Sequence, residues 1–182
     1  RNYIAGARIR CYTASRAFVQ FVLCIIQSAI LTLSYVGVAI VYGNELPETG
    51  ILTNYPMVEF YISIFLLMYA ADAMGIMISC LVKKEEAANV LAPYILIVQL
   101  IFSGILFAME GMADYISYVM ISRWGMEALG SIANLNDLPL KIQMTVPTVP
   151  HEFESRFDST PEHLLTVWAV LFGFIVVFLL VG

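Results

Sequence analysis

The stretch MVEFYISIFLLMYAADAMGIMISCLV, residues 57–82, holds only two ionisable carboxylates, Glu59 near its start and Asp72 near its middle. As a helix it would rise about 39 Å, more than the roughly 30 Å hydrocarbon core of a bilayer. Its apolar side chains fall on every side, whereas a helix packed on a soluble core needs only one apolar stripe. An acid at the centre of a span costs about 2.5–3.5 kcal/mol. The eleven Leu, Ile, Val and Phe of this run contribute about 3–6 in the other direction, at roughly 0.3–0.6 each. The helix therefore inserts, with Asp72 turned towards protein and away from lipid. Glu59, close to the end, reaches the headgroup boundary at small cost.

Residues 17–42, 87–109 and 164–182 form three further long apolar runs. The expected fold is thus all-α, a polytopic membrane bundle of four transmembrane helices. Composition agrees, because 60% of residues are hydrophobic and 13% charged, far from the globular average. A net charge of -5 argues against a nucleic-acid partner, which needs clustered Lys and Arg. Arg1, Arg8, Arg10, Arg16, Lys83 and Lys84 precede the first run or sit in the link between the second and third. By the positive-inside rule those segments, and with them the N-terminal end, are cytoplasmic, while 43–56 and 110–163 are extracytoplasmic. The chain opens on Arg1 and stops at Gly182 within an apolar run, so it is read as a domain of a longer polypeptide. Cys11, Cys24 and Cys80 fall on the cytoplasmic side or in lipid, which implies no disulfide framework.

Polar residues within the runs are the candidate site. Gln20, Gln27 and Ser34 recur at heptad spacing with Cys24 between them, and Gln99 and Ser103 align one turn apart. Such stripes face protein or water. Gln27, Ser34, Asp72, Gln99 and Ser103 either line a polar substrate path or bond neighbouring helices. Ala71, Gly75 and Ser79 form a small-xxx-small face, which lets another helix approach closely. Pro93 lies in the first two turns of the third run, where it can kink the helix. After Met109, Ile116, Met120, Trp124, Ala128 and Ile132 share one face. That pattern, with Tyr115 and Tyr118, predicts an amphipathic helix at the outer headgroup boundary or in a re-entrant dip. Arg123 and Glu127 stand one turn apart and can pair; exposed to water, such a pair contributes about 0–1 kcal/mol. The prolines of 135–161 predict an irregular loop.

Enzyme signatures are missing. His151 and Glu152 do not continue into a zinc-binding helix, and Glu162 with His163 is too small a set for a metal. No phosphate-cradling glycine loop occurs, and Asp72 has no partner aspartate in a span. The chain is read as non-enzymatic, with no metal site and no cofactor of its own.

Three separated strings carry a resemblance. RNYIAGARIRCYTASR (1–16), MGIMISCLVKKEEAANVLAP (74–93) continued by LIFSGILFAMEG (100–111), and ISRWGMEALG (121–130) resemble, in order, segments of the permease domain of G-type ABC transporters, the white and pleiotropic-drug-resistance type. The similarity covers most of the chain up to Leu138. It is greatest to bacterial fusions of a forkhead-associated module, an ATPase and a permease. Asn2 departs from the Glu the family often places there, and the external segment lacks the cysteines of animal members, which fits a bacterial cytoplasmic membrane.

The resemblance implies a partial permease domain holding the last four of six spans. ATP and Mg would bind a nucleotide-binding domain, expected on the same polypeptide, and a second permease copy would complete a homodimer or heterodimer in the bilayer. It also implies export of an amphipathic or lipid-like substrate by alternating access. Arg123, Trp124 and Glu127 become outer gate candidates. Arg1, Arg8, Arg10, Lys83 and Lys84 become candidates for the ATPase-facing surface, beside their default role of setting topology. Ala71, Gly75 and Ser79 become the bistable helix interface. Two other readings stay open: an ion- or proton-coupled secondary transporter or channel working through Asp72, and a membrane scaffold that transports nothing.

Overall fold

A computed structural model describes residues 9–43, 49–82, 85–104, 111–137 and 154–182, with the side chains of 9–12, 85 and 88 left aside. The order is α1 (Ile9–Tyr42), α2 (Pro56–Leu81), α3 (Glu85–Ile101), α4 (Met112–Ser117), α5 (Ile121–Ile132), a 3₁₀ turn at Ser155–Phe157, and α6 (Pro161–Val181). Proline opens both α2 and α6, where its missing N–H is harmless and its fixed φ suits the first turn. The helices α1, α2 and α6 are each long and apolar enough to cross a membrane. The architecture is the expected polytopic helix bundle.

The second helix is the hub. On one side it meets α1, where Phe21 stands edge-on to both Phe65 and Tyr69 and Tyr35 stacks on Phe60. On the other it packs with α5 and α6 around Ala70, Ile121, Ala128, Ile132, Leu164, Val167, Leu171 and Ile175. Small residues allow the closeness: a Cβ on Gly125 would stand 2.5 Å from Leu67 Cδ1. The Trp168 indole N–H donates to Ser63 Oγ at 2.8 Å, which satisfies both groups within the apolar layer.

Several sequence expectations need correction. The apolar run 87–109 does not continue as one described helix. It ends at Ile101, Ser103 N–H closes a tighter turn on Leu100 O, and Gly104 takes φ +82°, where glycine avoids the Cβ clash. Residues 105–110 lie outside the described residues. Pro93 sits inside α3 without ending it. The single amphipathic helix expected after Met109 is two, α4 and α5, separated at Tyr118–Met120. Ser117 Oγ turns back to Asp114 O, and Tyr118 O accepts the Trp124 indole N–H, so local bonds replace a continuous ladder.

The buried face of α1 also differs from the heptad stripe. It runs through Thr13, Cys24, Ser28, Thr32 and Ala39, whereas Gln27 and Ser34 are exposed. A strict heptad drifts about 20° per repeat on a straight helix, so Gln27 and Ser34 rotate progressively off the contact face. Ala71, Gly75 and Ser79 are exposed too, and a Cβ on Gly75 would meet nothing within 4 Å. Among the described residues no helix covers that face.

Candidate functional site

The middle of α2 holds a polar knot. Asp72 Oδ2 accepts from Gln20 Nε2 at 2.7 Å and from Cys24 Sγ at 2.9 Å, joining α2 to α1. Beside it, Tyr69 donates its hydroxyl to Ala17 O at 3.3 Å, and Tyr61 donates to Ile25 O at 3.4 Å. Asp72 is half-buried and Cys24 fully buried. Among the described residues this carboxylate has no counter-ion, and the neutral donors lower its desolvation penalty. Gln20 and Cys24, not Gln27 and Ser34, are the stripe residues that reach the acid. Ser34 bonds its own helix at Ile30 O, as Ser79 does at Gly75 O.

A second polar centre lies at the α5 end. Arg123 is buried, and its Nε donates to Glu127 Oε1 at 3.0 Å. Its Nη1 donates to Asp114 Oδ1 at 2.8 Å, to Asp114 O and to Ser117 Oγ. Arg156, brought in by the 3₁₀ turn, reaches the same Asp114 Oδ1 at 2.6 Å. The guanidinium also lies 3.6 Å from the Tyr118 ring centre, a cation–π contact. Burial pulls the Arg123 pKa down, but the hydrogen bond and charge of Glu127, with Asp114 and Tyr118, outweigh it and hold the value above the ordinary one. The pair, read from the sequence as either an outer gate element or an exposed surface bridge, is buried at the heart of a four-charge cluster. Trp124 braces it by donating to Tyr118 O at 2.9 Å.

Between the two centres stands Gln99. Its Oε1 accepts Ser122 N–H at 2.9 Å, its backbone carbonyl accepts the Ser122 hydroxyl at 2.5 Å, and its Nε2 lies 3.8 Å from Met74 Sδ. Ser103 is buried and donates to Leu100 O at 2.7 Å. An apolar cleft of about 460 Å³ opens beside Gln99, lined by Met74, Tyr94, Val98, Phe174 and Phe178. A larger cavity of about 910 Å³ lies between Thr13, Phe18, Tyr69 and the end of α6.

Sequence reasoning missed Glu59. Far from reaching outwards to an interface, it is fully buried and accepts N–H bonds from Ile51, Leu52 and Thr53 at 2.6–2.8 Å, plus the Thr53 hydroxyl at 3.2 Å. Successive backbone N–H groups make an anion nest that a carboxylate fills. The hint available in the sequence was an acid nine residues after Gly50, at the start of an apolar run. Asp114 and Arg156 were also unassigned, and nothing in a sequence separation of 42 predicts their contact. Of the candidates for the ATPase-facing surface, Arg1, Arg8, Lys83 and Lys84 lie outside the described residues, as does the side chain of Arg10. His151 and Glu152 lie outside as well, while His163 Nε2 is 2.9 Å from Arg156 O.

Comparison with known proteins adds an independent line. The family described as ABC-2 type transporter matches residues 3–133. The ABC transporter ATP-binding/permease protein Rv1747 of Mycobacterium tuberculosis is 27% identical over 171 residues, 92% of this chain and 18% of its own length. The chain thus spans about a fifth of that relative. No solved structure gives a significant match.

Proposed function

The chain belongs to the ABC-2 type transporter family, and from that premise we propose that it is the membrane-spanning part of an ATP-driven exporter of the G-type. It works with a nucleotide-binding domain that holds ATP and Mg, on the same polypeptide as in its relative's ATP-binding/permease name. A second permease copy completes the pathway, and the end bearing α4 and α5 faces outwards. The observation that carries this reading is the family match running from α1 through α5 onto helices long enough to span a bilayer.

Amphipathic or lipid-like cargo suits the chain because both cavities are walled mainly by apolar side chains with a few polar groups. Alternating access needs two packings of similar energy. The open Ala71, Gly75, Ser79 face supplies a surface on which a second helix can slide. Asp72, engaged by Gln20 and Cys24, serves in this reading to hold α1 against α2.

The test is transport by the intact polypeptide in lipid vesicles, with a fluorescent phospholipid as probe. ATP hydrolysis and ATP-dependent movement of the probe, with no ion gradient imposed, are expected. Movement driven by a proton gradient, indifferent to ATP and lost in Asp72→Asn, would instead mark a secondary transporter.

A further inference from the structure

The third helix is the most weakly attached long element. Val90, Tyr94, Leu96, Ile97 and Leu100 are each at least half exposed, and the hydrogen bonds from α3 to α5 converge on Gln99. Those two bonds are reciprocal. Ser122 lies in the first turn of α5, where an N–H has no partner four residues back, and the Met120 cap offers no side-chain bond. Gln99 lies in the last turn of α3, where a carbonyl has no N–H four residues on. The Gln99 side chain satisfies the open N–H of α5, and the Ser122 side chain satisfies the open carbonyl of α3. Each helix end caps the other.

Both partners lead directly to the charge cluster. The residue after Ser122 is Arg123, locked by Asp114 and Glu127. A short way beyond Gln99, Gly104 passes so close to Arg156 that a Cβ there would stand 3.2 Å from Nη1. A displacement of α3 is thus felt at one place on α5, and α5 is anchored by a buried, mutually satisfied set of charges. We propose that Gln99 and Ser122 are a coupling pair, positioning residues that make α5 and its charge cluster follow α3 during the transport cycle. This rests on the ATP-driven reading above. It assigns Gln99 to transmission of movement and not to contact with cargo.

The test uses the intact transporter in lipid vesicles, with Cys11, Cys24 and Cys80 replaced by Ser and nitroxide labels on introduced cysteines. One label pair, at Leu33 and Tyr94, reports α3 against α1; another, at Tyr94 and Ala133, reports α3 against α5. Addition of a non-hydrolysable ATP analogue is expected to shift the first distance and leave the second unchanged. In Gln99→Leu, and in the milder Ser122→Ala, the first shift persists while the second distance splits into two populations. Ser122→Thr, which keeps the hydroxyl, restores a single population. An unchanged second distance in both Gln99→Leu and Ser122→Ala overturns the coupler, as does a second distance that already shifts without substitution. If the analogue moves neither distance in the unsubstituted protein, the ATP-driven reading fails and the coupler falls with it.

Discussion

At the α5 end four charged side chains answer one another, Arg123 and Arg156 against Asp114 and Glu127, whereas at the middle of α2 a single carboxylate is held by a carboxamide and a thiol. The first arrangement is self-neutralising, so removing one member strands a buried charge. The second is a charge solvated by dipoles, so removing one donor leaves another in place. The difference matches their settings. A helix span is assembled from side chains that must first insert, and every fixed charge raises that cost. The α5 end, built from short helices and a 3₁₀ turn, can gather ions from distant parts of the chain.

The sharpest break of the comparison is Arg123→Leu. Glu127, itself buried, would lose its cation, and among the described residues Asp114 would keep only Arg156. Unfolding of the intact protein in detergent, followed by denaturant titration, should show a loss of about 3–5 kcal/mol. A loss below about 1 kcal/mol would mean that the cluster behaves as a surface pair. The same cluster should resist alkali. A cation whose folded pKa lies above its unfolded value contributes fully below the unfolded value and is lost only as pH rises through the folded one. No part of the Arg123 contribution should therefore disappear on raising the pH from neutral into the range where lysines titrate.

Glu59 extends the contrast, because it too is buried without a cation among the described residues, yet its donors are mostly backbone N–H groups. Glu59→Gln removes one acceptor oxygen and the charge that strengthens the rest, a change worth about 1–3 kcal/mol. Hydrogen exchange at the amides of Ile51, Leu52 and Thr53 should accelerate while that of α6 does not. Uniform acceleration would show that Glu59 supports the whole bundle and not the turn alone.

Why some of this was legible in the sequence and some was not follows from the same physics. The spans of α1, α2 and α6 were readable because lipid demands long uninterrupted apolar helices, and few other structures satisfy that pattern. Asp72 was readable as a residue that avoids lipid, since its cost could be set against eleven apolar neighbours. Its partners were not. Gln20, Gln27 and Ser34 look equivalent on a heptad, and it is tertiary packing, such as Phe21 against Phe65 and Tyr69 and Tyr35 on Phe60, that fixes which side of α1 turns inwards. The α5 cluster was half readable: Arg123 and Glu127 are a local pair, but their burial depends on Asp114 and on Arg156, which arrives from 33 residues further along than Arg123. Gln99 was visible as a polar residue in a span, while Ser122 gave no signal, because mutual capping of two helix ends is a tertiary event.

Asp72→Asn tests the other side of the comparison at a smaller scale. The amide still presents an oxygen to Gln20 and Cys24, so the loss should lie near the average of about 0.6 kcal/mol for interhelical bonds in a membrane and not exceed about 1.7. A double-mutant cycle of Cys24→Ala with Asp72→Ala, which removes the acceptor, isolates the thiol bond. A coupling as large as that of Arg123 would place Asp72 among the mutually dependent charges after all.

The smallest effect on folding should come from Gly75. Since nothing lies within 4 Å of a Cβ there, Gly75→Ala should leave the stability of the chain unchanged or raise it by up to about 1 kcal/mol, the helix-propensity gain over glycine. Gly75→Leu should likewise insert and fold, because the side chain points to open space within this chain. Transport should separate the two substitutions. If the small face receives a helix from a second permease copy, the leucine holds the backbones apart and ATP hydrolysis continues without movement of the lipid probe, while the alanine variant remains active. Full transport by Gly75→Leu would mean that this face meets only lipid, and the sliding interface would have to be sought on α1 or α3.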